Sequence, residues 1–187
     1  MTAVAQAEPA PGRSCGGCTL CCKVMEVTEL AKPPGQWCGH CAVGKGCGIY
    51  AERPLSCRTY MCVYLVSLRA GPHWYPARSK MVITMESTGR TVVRVDAGRP
   101  AVWREEPYYS DLKRWAVQGG SGHQLLVVTA GRTIAILPQA DVDLGAVTSE
   151  DLLLTTEYRT SKGPRWTVEK IDADDPRAAG LEPGSRP

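Results

Sequence analysis

The stretch Cys15-Gly-Gly-Cys18-Thr-Leu-Cys21-Cys22 opens a cysteine-rich region that extends to Cys62 and decides how the first part of the chain folds. All nine cysteines of the 187 residues fall within this region. Two thiolates separated by two residues, as in Cys15 and Cys18, can be directed at one ion by a turning backbone, at a metal–sulfur distance of about 2.3 Å. The spacing therefore predicts that the region binds a metal.

Every cysteine is a candidate ligand, because the cluster is too dense for a set of buried small hydrophobic residues. Adjacent side chains diverge by roughly 100° on a helix, so Cys21 and Cys22 are expected to serve two different ions, or one of them to pack or remain a free thiol. His40 either binds an ion or supports a ligand, and with it the set can fill two four-ligand sites. The candidate metal ligands are Cys15, Cys18, Cys21, Cys22, Cys38, Cys41, Cys47, Cys57 and Cys62.

The composition bounds the class of protein. With 43% hydrophobic residues, the chain can form one core together with a small metal-stapled unit. The net charge of +3, from 22 basic and 19 acidic residues, points to no nucleic acid and no membrane as partner, and a protein partner of unknown identity stays open. The sequence shows no signal peptide and no apolar run long enough for a membrane span, which predicts a cytoplasmic protein. In a reducing cytosol, an odd number of clustered cysteines favours metal binding over disulfides.

Four segments are expected from the changes in composition along the chain. Both ends are rich in residues such as Ala, Pro and Gly and are predicted to be disordered tails. Between them, a cysteine-rich metal-binding region with short helices precedes a β-rich region with one helix. The expected segments are 1–13, 14–76, 77–172 and 173–187. The fold class that follows is α+β, with the metal-stapled region packed on a mainly antiparallel sheet.

Short β-prone runs separated by turn residues predict the strands of the second region. Ala130-Gly131 is expected to form a tight hairpin turn, and Thr160 to Pro164 a second one. One helix is expected over Ser110 to Val117, capped by its first residue. In the first region the best helical candidate is Ile49 to Leu68, broken near Pro54. The expected strands are Lys80 to Glu86, Thr91 to Asp96, Gln124 to Thr129, Arg132 to Leu137, Thr155 to Arg159 and Trp166 to Ile171.

Other patterns are interpreted as structural. The glycine-rich segment Gly119 to Gly122 follows a helix and lacks the ending of a phosphate-binding loop. Aromatic residues between Trp103 and Trp115 alternate with basic residues, as in sites for single-stranded nucleic acid, but neighbouring acidic residues cancel this charge and a core-facing aromatic group is predicted. Basic residues near the cysteines are expected to offset the charge of thiolates. The candidates are Lys23, Lys45, Arg53 and Arg58.

Two motifs carry a resemblance to a known family. The first is Cys15-x-x-Cys18-x-x-Cys21-Cys22, and the second is Cys47-Gly-Ile-Tyr50-Ala-Glu-Arg53-Pro54-Leu-Ser-Cys57-Arg58-Thr-Tyr60-Met-Cys62. Together they resemble the bacterial cysteine-cluster family described as zinc- or iron-chelating, over residues 15 to 62. The resemblance implies a metal or iron–sulfur site built from those cysteines, and it implies no particular cellular process.

Three classes of function follow from these patterns. The leading hypothesis is a metal-binding protein that chelates zinc or iron, the iron either as an ion or as an iron–sulfur cluster, through the clustered cysteines. The second is an iron–sulfur redox protein or a protein-modifying enzyme, so whether the chain is an enzyme is undecided. The third is a thiol-based redox or metal-stress sensor, in which a cysteine such as Cys22 is released or oxidised.

Overall fold

The computed structural model describes residues 8–86, 89–120, 123–148, 150–179 and 181. The predicted tails lie partly outside these residues. The chain divides into two compact units, Met1–Thr84 and Met85–Pro187. Helices and mixed, mainly antiparallel sheets are both present, and every cysteine lies in the first unit. The α+β class predicted from the sequence is therefore confirmed.

The first unit is built from short elements joined by turns. Its helices and strands are α1 (Cys21–Val24), β1 (Cys41–Ala42), β2 (Gly46–Cys47), α2 (Leu55–Thr59), α3 (Val63–Val66) and α4 (Pro76–Ser79). The longest of these has five residues. Helices of this length do not persist on their own, so contacts with the rest of the unit must hold them.

The helical candidate Ile49 to Leu68 is divided into three pieces. A 3₁₀ turn over Tyr50–Glu52 ends at Arg53, whose ψ of 145° is extended because the residue before a proline is disfavoured in the helical region. α2 then begins after Pro54 and ends at Tyr60, which is extended, and α3 follows. The predicted break near Pro54 is confirmed, and the second break was not predicted.

Arg13 attaches the beginning of the described chain to the first unit. Its guanidinium donates hydrogen bonds to the carbonyls of Tyr64 (2.5 Å) and Ala70 (2.6 Å), and it lies 4.1 Å from the centre of the Tyr64 ring. The amide of Ala10 donates to the carbonyl of Leu65 at 2.9 Å. Part of the segment 1–13 is thus bound to the unit, while residues 1–7 lie outside the described chain.

The core of the first unit is small, and cysteine side chains contribute to it. Leu20 and Val24, at the start and end of α1, are buried against Val82. Cys18 and Cys62 are partly buried and pack against this cluster. A core of this size supplies limited hydrophobic stabilisation, and small proteins in this situation commonly depend on metals or covalent links.

Most strands belong to the second unit, and the division between the units falls within the first of them. The elements are β3 (Met81–Met85), β4 (Arg90–Val95), α5 (Tyr108–Gly119), β5 (Gln124–Thr129), β6 (Arg132–Ile136), β7 (Asp141–Asp143), β8 (Leu152–Thr160) and β9 (Gly163–Ile171). Strands β3 to β7 form a five-stranded sheet in chain order. β4 and β5 are parallel, with Val93 opposite Val127, because the long connection that contains α5 joins them. The pairs β5–β6 and β6–β7 are antiparallel.

The strand predictions at 80–86, 91–96, 124–129 and 132–137 are confirmed with ends within a residue. Ala130 (φ 48°) and Gly131 (φ 75°) form the predicted hairpin turn between β5 and β6. The helix predicted over Ser110 to Val117 is confirmed, but its predicted cap is wrong, because α5 begins at Tyr108 and no side chain caps it. Trp103 is buried, with 2% of its surface exposed, as expected for a core-facing aromatic residue.

β8 and β9 form a separate two-stranded antiparallel sheet. They contain the predicted strands 155–159 and 166–171 and extend beyond both, and Thr160 pairs with Gly163 at the predicted second turn. Near the base of this hairpin, Leu153 and Val168 are buried in a core cluster with residues of β5 and β6. Towards the tip, residues 156–160 are exposed.

The short strands β1, β2 and β7 were not predicted. Each has only two or three residues, too few for a recognisable alternation of polar and apolar side chains. Among the described residues, no helix combines the length and apolar character needed to cross a bilayer.

Candidate metal centre

The turn that carries Cys15 and Cys18 depends on the two glycines between them. Gly16 takes a φ of +51°, which residues with a side chain rarely adopt. Gly17 approaches the β1–β2 loop so closely that a Cβ atom on it would lie 2.8 Å from the carbonyl oxygen of Gly44. The amide of Cys18 closes the turn by donating to the carbonyl of Cys15 at 2.8 Å. These glycines let the first cysteines and the β1–β2 loop come together.

Hydrogen bonds attach the segment from Cys38 to Gly44 to α1 and to Thr19 just before it. The amide of Gly44 donates to the hydroxyl of Thr19 (3.1 Å), and the amide of Cys38 donates to the carbonyl of Cys22 (2.9 Å). A further bond from the amide of Cys41 to the carbonyl of Cys38 (3.0 Å) closes the turn before β1. Cysteines that are distant in sequence are thus brought to one end of the unit.

Five thiols, including that of Cys22, lie close together at this end of the unit, and Cys18 also interacts with Cys22. The Cys22 thiol forms hydrogen bonds with the thiols of Cys21 and Cys41, so the two adjacent cysteines meet instead of diverging. The charge of Cys57 is coupled to those of Cys22 and Cys38. We call this set the Cys22 group, and its members are Cys21, Cys22, Cys38, Cys41 and Cys57.

A smaller set surrounds Cys62, which is coupled electrostatically to Cys15 and Cys18. We call these three residues the Cys62 group. The Tyr75 hydroxyl donates to the carbonyl of Cys15 at 3.0 Å and so supports the first turn. Cys47 lies directly opposite Cys41 across β1 and β2, so its side chain is on the same face of this strand pair as that of Cys41.

A cavity of about 90 Å³ lies between cysteines of the two groups. Among the described residues that line it there is no carboxylate, and the only charged one apart from ionisable thiols and tyrosines is Arg53. The rest of the wall is aromatic or apolar. The cysteines that line it are Cys15, Cys18, Cys21, Cys57 and Cys62.

Burial and neighbouring thiols make individual cysteines difficult to ionise. The hydrogen bond with Cys21, followed by burial, holds the pKa of Cys22 well above that of a free thiol. Burial and the nearby Cys22 raise the pKa of Cys41 to about 11. Burial also raises the pKa of Cys57 and of Cys62. A cation placed among these groups would favour their thiolate forms, since it removes the mutual repulsion that opposes ionisation.

Lys32 is a buried cation beside the Cys22 group, with 7% of its surface exposed. Its ammonium group donates to the carbonyls of Lys23 (2.7 Å) and Met25 at the end of α1. Burial lowers the pKa of Lys32, whereas Cys38 and Cys22 act in the opposite direction. The position of Lys32 beside the thiols could not be predicted from the sequence, because it begins a Lys-Pro-Pro-Gly segment, a pattern that predicts only a loop.

The cations proposed from sequence occupy different places. Arg53 lines the cavity. Its Nε donates a hydrogen bond to the carbonyl of Tyr50 at 3.0 Å, and its guanidinium lies 3.7 Å from the centre of the Tyr50 ring. The Lys23 ammonium lies 5.7 Å from the centre of the Trp37 ring. The remaining candidates have exposed side chains, and these are Lys45, Arg58 and the candidate ligand His40.

The chemistry of the donor set fits zinc, an iron ion or an iron–sulfur cluster, because all nine cysteines are free thiols and thiolates are the ligands such centres prefer. The arrangement is not that of a completed site. Among the described residues, no three His, Cys, Asp or Glu side chains are placed to hold one ion together. Binding would therefore require the thiols of a group to move closer to one another.

Comparison with known proteins gives no relative from which a function could be transferred. No family model, curated protein or solved structure matches the chain.

Proposed function

We propose that the chain is a metal-binding protein that chelates zinc or iron through its clustered cysteines, the iron either as an ion or as an iron–sulfur cluster. The observation that carries the proposal is the gathering of nine free thiols in one small unit, five of them around one cavity whose described lining residues include no carboxylate. Oxygen-preferring ions such as Mg²⁺ and Ca²⁺ are poorly served by this donor set, whereas zinc and iron are well served. The resemblance to the bacterial cysteine-cluster family supports the same proposal.

The Cys22 group would provide thiolates from α1, from β1 and the turn before it, and from α2. The Cys62 group would provide them from the first turn and from the start of α3. The ion supplies positive charge that holds these segments together. Lys32 offsets part of the negative charge that several thiolates bring to one site. Because the core of the unit is small, closure of the thiols around an ion also stabilises the fold.

The proposal includes a cytoplasmic location, because thiols in this number stay reduced in the cytosol.

A thiol-based sensor is the second candidate, and the contact between Cys22 and Cys41 favours it. In that function the two thiols would lose two protons and two electrons to a peroxide, forming one S–S bond and two water molecules. Peptide mapping after peroxide treatment would detect this disulfide.

Cobalt titration tests the leading proposal directly. Metal-free protein is titrated with Co²⁺ without air, and the near-ultraviolet band from thiolate-to-cobalt charge transfer is recorded. The band should rise to saturation, disappear when Zn²⁺ is added, and weaken in Cys22→Ser. Absence of a thiolate band in the wild-type protein would contradict the proposal.

A further inference from the structure

The tip of the β8–β9 hairpin is a two-stranded ribbon, and no other strand of the described chain lies beside it. The side chains of residues 156–160 are exposed, including Tyr158 at 46%. Two-stranded ribbons are marginally stable in water, and three or more strands usually provide independent stability. The ribbon therefore has both the space and an energetic reason to accept another strand.

The backbone groups that face outward can be assigned from the hydrogen bonds. In an antiparallel pair, alternate residues direct both N–H and C=O away from the partner strand. The side-chain amides of Gln124 and Gln139 donate to the carbonyls of Leu153 (2.9 Å) and Trp166 (2.5 Å). These two carbonyls therefore face outward, on β8 and β9 respectively. The register, in which Glu157 opposes Trp166, then places every second residue from 153 to 159 at the outer edge of β8.

The two edges of the hairpin differ in their ability to accept a strand. On β9, Pro164 occupies an outward position and has no N–H, and Gln139 covers the next outward carbonyl, that of Trp166. On β8, the side chain of Gln124 covers the base of the edge at Leu153 and Thr155. Beyond that point the edge is open. Within the described part of the chain, no hydrogen bond or ion pair outside the hairpin reaches Glu157 or Arg159.

The charged residues at the open edge of β8 can pair with those of the same edge in a second copy of the chain. Consider β8 paired antiparallel with β8 of a second copy, with the two-fold axis at Tyr158. Glu157 of each copy then lies opposite Arg159 of the other, which gives two such pairs. Opposite charges across strands are favourable. Registers centred on Glu157 or on Arg159 instead place like charges opposite each other, which is unfavourable. Only the register centred on Tyr158 satisfies both charges, and it also brings the two Tyr158 side chains together.

We propose that the second unit associates with a second copy of this chain through the outer edge of β8, giving a four-stranded sheet in the order β9-β8-β8-β9. We choose a second copy of the chain as the partner because Glu157 and Arg159 alternate along the edge. A two-fold axis at Tyr158 then pairs each of them with the opposite charge of the other copy. The ladder is short, so the dimer is weak and its population depends on protein concentration.

The test uses charge reversal and measures mass in solution by sedimentation or light scattering. The wild-type chain should shift from monomer to dimer as its concentration rises. Glu157→Arg and Arg159→Glu should each remain monomeric at concentrations where the wild type dimerises, because each places like charges opposite one another. An equal mixture of the two variants should form the mixed dimer, since both charge pairs across the interface then have opposite signs.

Arg165→Glu is the matched control for Arg159→Glu, because it makes the same change of charge at a β9 position that does not face the edge of β8. This variant should dimerise like the wild type. A wild-type protein that stays monomeric at high concentration, or a mixture of the two variants that fails to associate, would overturn the proposal. Neither result bears on metal binding, because every cysteine lies in the first unit.

Discussion

Lys32 shows how one buried side chain can serve both the fold and the candidate site. Its ammonium group holds two carbonyls at the end of α1 and stands beside the thiols of the Cys22 group. Burying a lysine costs free energy unless an opposite charge pairs with its ammonium group, and here several thiolates would do so. Exposed lysines such as Lys45 have no comparable surroundings.

Replacing Lys32 by methionine should weaken both stability and metal binding. The variant keeps the length of the side chain but leaves two buried carbonyls without their donor, at a cost of about 1–3 kcal/mol in the free energy of unfolding. It also removes the cation that offsets thiolate charge, so affinity for Zn²⁺ should fall. Chemical denaturation and a competition titration with a zinc indicator measure the two effects. Lys45→Met should change neither, and equal effects of both substitutions would contradict the assigned role of Lys32.

The raised pKa values of the thiols predict slow alkylation of the metal-free protein. A thiol with a pKa of about 11 contains roughly a hundredfold less thiolate near neutral pH than one with a pKa of 9. Cys41 and Cys22 should therefore react with iodoacetamide at least about tenfold more slowly than free N-acetylcysteine. The rates should increase as the pH is raised, because deprotonation becomes easier. Peptide mass spectrometry measures each site, and fast reaction of Cys22 near neutral pH would contradict this assignment.

At the scale of elements, the close contact between the first turn and the β1–β2 loop positions the two cysteine groups. Gly17 permits this contact, since a Cβ atom there would lie within 2.8 Å of a backbone oxygen that cannot move as a side chain can. Gly39 offers a natural comparison, because a Cβ atom on it would meet nothing within 4 Å.

Gly17→Ala should separate the β1–β2 loop from α1 and disturb the Cys22 group. We expect the free energy of unfolding of the metal-free protein to fall by about 1–3 kcal/mol, as for other overpacked contacts. Affinity for Zn²⁺ should fall as well, because Cys41 moves with the loop. Gly39→Ala, in open space, should leave both quantities nearly unchanged. If Gly17→Ala behaved like Gly39→Ala, the loop contact would not be what assembles the thiols.

The elements that the sequence predicted well are those with a local pattern. The β5–β6 hairpin has an apolar run on each side of Ala130-Gly131, and both strands and turn are found as expected. The cysteine region lacks such periodicity, so its short helices and the β1–β2 pair could not be located. The meeting of Cys22 with Cys41 depends on backbone contacts between distant segments, and spacing along the chain carries no information about those contacts.

At the scale of the whole molecule, the candidate metal ligands are concentrated in one unit. The first unit carries every thiol and has a small core, whereas the second contains most of the five-stranded sheet and no cysteine. Metal binding that is coupled to folding should therefore protect the first unit selectively. Hydrogen exchange in the presence and absence of Zn²⁺ should show slower exchange within residues 8–84 and little change in 89–179.

The most direct test of the metal-binding proposal is elemental analysis, with a visible spectrum, of protein purified without air from cells supplied with iron and zinc. The proposal predicts about one or two ions per chain, with loss of metal in Cys18→Ser and Cys57→Ser. Zinc without colour would indicate a structural or partner-binding centre, and iron with sulfide and visible absorption would indicate an iron–sulfur cluster. Protein that carries no zinc or iron, with the cysteine variants identical to the wild type, would contradict the account.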